Sequence, residues 1–253
     1  MNSYKVFLML AAFCIPASVF AQQKPLPFIE VDGGVSLPLG NWGATATASS
    51  LMSIKGTVND VHGWANIGGF GSINGAWYFS KNFGIGGIFR YGVYDLKKVD
   101  SLSQGYEESF DVDTTRTTPT HYTLWSIMPG IYFSLGLSKK IDFTARALLG
   151  ITHATTPQIT CTIEDGGVFD APIVQYASTK IAVSADIGAG LDYRITRCIA
   201  IGLKADYFYS KPDFTINNAP RLNNAGREVY NYDQPLESVN FSLGIAYRFG
   251  NKK

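Results

Sequence analysis

From residue 28 to residue 249 the chain alternates apolar and polar positions, and the alternation is broken at regular intervals by polar connections. Period-two patterning puts successive side chains on opposite faces of an extended strand. Eight segments show it, near residues 28–39, 65–79, 83–97, 121–134, 141–153, 180–194, 199–209 and 237–249. The clearest is "IAVSADIGAGLDY", where Ile181, Val183, Ala185, Ile187, Ala189, Leu191 and Tyr193 share one face. "ANIGGFGSINGAWYF" is the weakest, because its glycines blur which face is apolar. No segment has convincing helical spacing.

The connections alternate in length. "SKN", "GLSKK" and "TRC" join strands two to three, four to five and six to seven, whereas the links near 40–64, 98–120, 154–179 and 210–236 are long and polar. An even strand count with short turns at one end and long loops at the other predicts an up-and-down meander with both termini at the short-turn end. Strands of this length suit a tilted bilayer crossing, for which about 9–11 residues suffice.

The face opposite the apolar one decides which way the sheet is turned. It carries Gly84, Gly86, Gly188, Gly190, Gly202 and Gly244 together with Glu30, Asp32, Arg90, Arg146, Asp186, Lys204, Asp206 and Arg248. A solvent-facing strand surface would avoid so many glycines, which weaken strands unless space is tight. Small residues interleaved with balanced charge fit the lumen of a narrow barrel, which eight strands leave just wide enough for side chains to fill. The apolar face then points to lipid. Tyr193, Tyr207, Tyr209, Tyr247, Phe249, Trp77, Phe79 and Phe83 cluster toward strand ends, where rings favour the membrane interfaces. The expected fold is all-β: an eight-stranded antiparallel up-and-down transmembrane β-barrel.

Composition agrees. Charged residues are 16% of the chain, against about 25% in soluble domains. Lys5, the run "VFLMLAAFCI" and Val19-Phe20-Ala21 read as a signal peptide over residues 1–21, cleaved near Ala21 and taking Cys14 with it. One barrel domain is expected over 22–253. Without Lys5 the positive and negative charges balance, so nothing points to nucleic acid.

Ser242, Gly244, Tyr247 and Phe249 resemble the terminal signal read by the outer-membrane barrel assembly machinery, and the sequence departs from the strict pattern in that Gly250, Asn251, Lys252 and Lys253 follow the final aromatic. "DGGVSLPLGNW" and "WYFSKNFGIGG" likewise resemble the outer membrane protein beta-barrel family, the small eight-stranded barrels of OmpA and OmpX type. The resemblance covers about residues 28–249. It implies an outer-membrane location, with outer-membrane lipid and the assembly machinery as partners and an unidentified extracellular ligand for the loops.

Candidate chemistry is sparse. His62, His121 and His153 all map near the long-loop rim but come from separate segments, without HxxxH or HExxH spacing. No Ser/His/acid cluster is visible, and the acidic loops "GVYDLKKVDSLSQGYEESFDVD" and "IEDGGVFDAP" lack the spacing of a calcium loop. "GFGSINGAW" and "GIGG" lie inside strands, where a nucleotide loop would not sit. The reading is a non-enzymatic barrel with a plugged polar lumen, no cofactor and no metal, acting structurally or through four long outer loops. A pore for small or hydrophobic solutes and a lipid-modifying enzyme are the alternatives. Closure of strand eight on strand one predicts a Glu30–Arg248 pair, with Asp186, Lys204, Asp206 and Arg146 as a second group near mid-height. Cys161 and Cys198 are expected at opposite ends of the barrel wall, too far apart for a disulfide.

Overall fold

The computed structural model describes residues 25–45, 62–110, 113–165, 168–169, 172–217 and 229–250. The signal-peptide reading, Cys14, Lys252 and Lys253 lie outside them. Eight long strands form the wall: β1 (Phe28–Pro38), β2 (Gly68–Tyr78), β3 (Phe83–Tyr94), β5 (Tyr122–Gly136), β6 (Ile141–Thr155), β10 (Thr179–Arg194), β11 (Ile199–Ser210) and β14 (Leu236–Arg248). Every neighbour in sequence is an antiparallel neighbour in space, and β1 pairs β14 to close the barrel. Closure removes both sheet edges, so the wall's backbone groups pair internally, as a bilayer demands. No helix among the described residues is long and apolar enough to cross a membrane; the crossing elements are strands.

The alternation holds strand by strand. Ile29, Val31 and Val35 are exposed on β1 while Glu30, Asp32 and Ser36 are buried. On β2 the glycine-blurred parity resolves with Ile73 and Trp77 outward and Phe70, Ser72, Asn74 and Tyr78 inward.

The short turns share one design. In Phe79–Phe83, Leu137–Ile141 and Ile195–Ile199 the first residue's N–H donates to the last residue's carbonyl, at 3.1, 2.9 and 3.0 Å. The second residue is Ser80, Ser138 or Thr196, whose hydroxyl accepts the N–H of the last residue at 2.9, 3.0 and 3.0 Å. A hydroxyl at that place satisfies a donor the hairpin would otherwise leave to water.

The long connections hold their own structure. The helix Val99–Phe110 falls where no helical spacing was expected, and it lies beside β4 (Thr114–Pro119). The expectation fails because a solvated loop helix needs no long apolar stripe. β4 pairs β7 (Ile159–Asp165), and β7 also pairs β8 (Val168–Phe169) and β9 (Ile173–Gln175), which makes a small sheet above the barrel. The free edge of β4 is covered: Thr115 N donates to Glu107 Oε1 at 2.8 Å and Thr117 N to Ser103 Oγ at 3.3 Å. The last loop folds as a hairpin of β12 (Asp213–Asn217) and β13 (Val229–Asp233).

Candidate functional site: the lumen and its outer cap

All eight side chains expected in the lumen are buried there: Glu30, Asp32, Arg90, Arg146, Asp186, Lys204, Asp206 and Arg248. The structure divides them differently from the expectation. Glu30 and Arg248 do not pair. Glu30 Oε2 instead accepts Lys204 Nζ, while Arg248 reaches across to Asp142 at 2.6 Å and Asp192 at 3.2 Å. The register explains the correction. Arg248 lies opposite Phe28, and Glu30 lies opposite Ala246, so the arginine sits one inward position closer to the short-turn end. There the lumen is narrow enough for its side chain to span to β6 and β10.

Lys204 likewise leaves the group expected near mid-height, and Arg90 takes its place. Arg90 donates to Asp186 Oδ2 at 2.7 Å and Asp206 Oδ2 at 3.4 Å. Arg146 donates from Nε to Asp206 Oδ1 at 3.0 Å and from Nη2 to Asp206 Oδ2 at 2.6 Å. Arg146 Nε also lies 3.7 Å from Asp186 Oδ1, so each of the two carboxylates is paired with both guanidiniums. Asp32 accepts from Ser72 Oγ at 2.5 Å and Asn74 Nδ2 at 2.6 Å, and among the described residues it forms no salt bridge.

Sequence reasoning missed Asp142, Asp192 and Arg194, which complete the lowest layer; Arg194 Nε donates to Asp142 Oδ2 at 2.7 Å. Asp142 and Asp192 lie on the polar parity of their strands, so extending the alternation to the strand ends finds both. Rings line the same region. Phe28 lies 6.1 Å from Tyr132 and 6.4 Å from Tyr78, and higher in the lumen Arg90 sits 5.1 Å over the Phe70 ring. Two inward glycines make room for the charges. A Cβ on Gly188 would meet Asp206 Oδ1 at 1.7 Å, and one on Gly244 would meet Glu30 Oε1 at 2.3 Å. A cavity of about 10 Å³ lies beside Tyr132, Arg146, Asp192 and Lys204, room for about one water.

Ile88, Met128 and Leu148 are buried at the level of these charges, Leu148 opposite Asp186 and Met128 opposite Ile88, and above them the lumen holds Leu124 together with the buried hydroxyls of Ser36, Ser126, Thr152, Ser210 and Ser238. The outer mouth is then covered by Trp42, Trp64, Tyr94, Tyr122, Phe214, Tyr232 and Leu236, all buried. Trp42 packs 4.6 Å from Tyr94 and edge-on to Tyr122 at 6.1 Å. The two limbs of the first loop are stitched together to hold it, with Gly63 N donating to Asn41 O at 2.8 Å and Ala65 N to Trp42 O at 3.0 Å. Tyr232, enclosed by this cap, has its phenol pushed far above the usual range by burial.

The three histidines do not converge. His121 Nδ1 meets Asp95 on the exposed rim, His153 stacks on Trp125 at 5.0 Å on the outer wall, and His62 lies beside the first-loop stitch. Among the described residues no group of three His, Cys, Asp or Glu is placed to hold a metal ion. Cys161 and Cys198 are both free. Cys161 is buried in β7 above the barrel, where burial pushes its thiol up, and Cys198 is exposed in the turn between β10 and β11.

Outside, the wall is a band of exposed Ile, Val and Leu, including Val31, Ile131, Val183, Ile187, Leu203 and Leu243. Trp77, Phe83, Tyr193 and Tyr247 border it near the short turns, and Tyr91, Tyr207 and the Trp125–His153 stack border it near the loops. Water would not be shielded from so much contiguous apolar surface, whereas lipid tails match it. The molecule is a transmembrane β-barrel of outer-membrane architecture.

Comparison with known proteins found no matching family model and no matching curated protein. Solved structures of outer-membrane barrels do resemble it. Outer membrane protein OprG from Pseudomonas aeruginosa is 12% identical with a TM-score of 0.47, over 91% of this chain and 99% of that one. Neisserial surface protein A is 13% identical with a TM-score of 0.43, over 88% and 97%. Ail, the attachment invasion locus protein of Yersinia pestis, is 13% identical with a TM-score of 0.42, over 90% and 100%.

Proposed function

We propose that this chain is a closed outer-membrane barrel without enzymatic activity, whose lumen conducts nothing of solute size and whose contacts are made by the structured loops. The observation that carries this reading is the double obstruction of the lumen. Interlocked charge pairs fill it from Arg248 up to Arg90, and an aromatic cap over the outer mouth is anchored by Trp42. A pore of either kind would need both to open together.

The surface left for function is the loop platform. Its small sheet presents Thr114, Arg116 and Thr118 from β4 away from the buried Thr115, Thr117, Ile159, Cys161 and Ile163. A rigid, edge-protected sheet offering hydroxyls and one guanidinium suits a polar partner at the cell surface. Assembly through Ser242, Gly244, Tyr247 and Phe249 belongs to the same reading. At the end of β14 and just past it, the Tyr247 and Phe249 rings lie outward and 5.9 Å apart, facing lipid or a chaperone groove.

Planar-bilayer conductance of the refolded mature chain, run beside assays for ester hydrolysis and acyl transfer on lipid, tests the proposal. Silence in all three is expected. Steady porin-sized currents would establish the pore reading, and turnover would establish an enzyme.

A further inference from the structure

The short-turn design described above has a third constant feature. After the hydroxyl residue comes Lys81 in the first turn, Lys139 in the second and Arg197 in the third, and all three are exposed. Lys140 adds a second exposed cation to the middle turn, with Nζ 5.8 Å from the centre of the Tyr193 ring. Among the described residues, no exposed Asp or Glu lies at this end; Asp142 and Asp192 are buried in the lumen against Arg248.

The residues flanking each cation are outward and apolar: Phe79 and Phe83, Leu137 and Ile141, Ile195 and Ile199. Each turn therefore holds a cation at the lower margin of the lipid-facing band, where phospholipid headgroups lie. Two of the turns are joined, because Arg194 N donates to Lys140 O at 2.8 Å, and Arg248 N donates to Cys198 O at 2.8 Å beside the chain end. The cations of β5–β6 and β10–β11 thus form one arc. At the loop end the signs are mixed, with Lys97, Lys98, Arg116 and Lys211 beside Asp95, Glu107, Asp213 and Asp233.

We infer that the short-turn rim is a binding surface for anionic phospholipid headgroups of the leaflet it faces, with Lys81, Lys139, Lys140 and Arg197 as its cations. A lone surface lysine is ordinary. A cation at the same turn position three times over, each framed by lipid-facing side chains and none neutralised by a neighbouring carboxylate, matches a headgroup's phosphate in both charge and depth. Basic side chains at a membrane surface attract anionic lipid within a Debye length, and Lys140 keeps its stem against the Tyr193 ring while its ammonium reaches the headgroups. The inference rests on the membrane reading and not on a closed lumen, so conductance results leave it untouched.

Trp77, exposed on the lipid face near the first turn, supplies the reporter. The refolded mature chain carrying Trp125→Phe is placed in phosphatidylcholine vesicles containing a fixed fraction of either brominated phosphatidylglycerol or brominated phosphatidylcholine, and quenching is compared. The phosphatidylglycerol probe should quench as though enriched about two-fold or more around the rim. Raising sodium chloride from low to high ionic strength should abolish the difference. Lys81→Gln combined with Lys139→Gln, Lys140→Gln and Arg197→Gln should abolish it too, while Lys97→Gln with Lys98→Gln in the outer loop leaves it intact. Equal quenching by the two lipids, or a preference insensitive to salt, overturns the inference in the Trp125→Phe protein alone, without any of the charge-removed variants having to fold.

Discussion

Glu30 meets Lys204 across a strand that separates them. β14 lies between β1 and β11, and the glutamate passes over Gly244 and Gly202 to reach the ammonium. Three features of three strands make that one contact: a carboxylate, a pair of glycines and a long cation. Both charges are almost fully buried, so each depends on the other for its solvation.

Removing one partner should therefore cost more than removing both. Glu30→Gln leaves Lys204 buried without its carboxylate and should destabilise the barrel by about 3 kcal/mol. Glu30→Gln with Lys204→Met should lose clearly less than the two single losses added together. Urea unfolding followed by the heat-dependent gel shift measures the cycle, and strict additivity would show that the pair is not coupled in the folded barrel.

The lumen glycines are set by volume. Gly188→Leu must displace Asp206 from Arg146, so lower folding yield and a midpoint at lower urea are expected. Gly69→Ala, on the outward face with open space around it, should fold as the parent does. If both variants fold alike, the charge cluster is looser than its geometry indicates.

Trp42 holds the outer cap. Trp42→Ala should cost about 3–5 kcal/mol by the usual scale for a buried aromatic and should expose the first loop to protease while the barrel keeps its gel shift. Conductance should stay low, because the Arg90, Arg146, Asp186 and Asp206 cluster lies beneath. A large current from this single variant would place the whole obstruction in the cap.

Thiol labelling separates the two ends. Cys198 should react at once with a membrane-impermeant maleimide. In Cys198→Ser the remaining Cys161 should stay unlabelled at pH 8 until the protein is denatured, since burial both shields its thiol and raises it, leaving less thiolate at a given pH. Two labels per unreduced, denatured mature wild-type chain are expected, and blockage of both by a disulfide would contradict the topology.

The chain end allows a test of assembly. Tyr247→Ser with Phe249→Ser should lower outer-membrane insertion more than deletion from Gly250 onward. Fractionation of cells with detection of the heat-shifted band reads this, and the reverse order would move the assembly signal beyond Phe249.

Much of this architecture was legible in the sequence because a barrel wall is a local pattern repeated. Alternation assigns every side chain to lipid or lumen, turn length assigns the ends, and neither needs knowledge of a distant residue. The identities of Glu30, Asp32, Arg90, Arg146, Asp186, Lys204, Asp206 and Arg248 as lumen groups followed from parity alone. Their partners did not. A lumen side chain reaches across strands by an amount set by register, strand tilt and the glycines in its path, so Glu30 found Lys204 and Arg248 found Asp142 and Asp192. The cap was equally hidden: Trp42 and Trp64 come from the first connection, Phe214 and Tyr232 from the last, and Tyr94 and Tyr122 from the loop ends of β3 and β5, and only closure of the barrel brings them together over one mouth. Parity is a property of single strands, whereas pairing and closure belong to the whole ring.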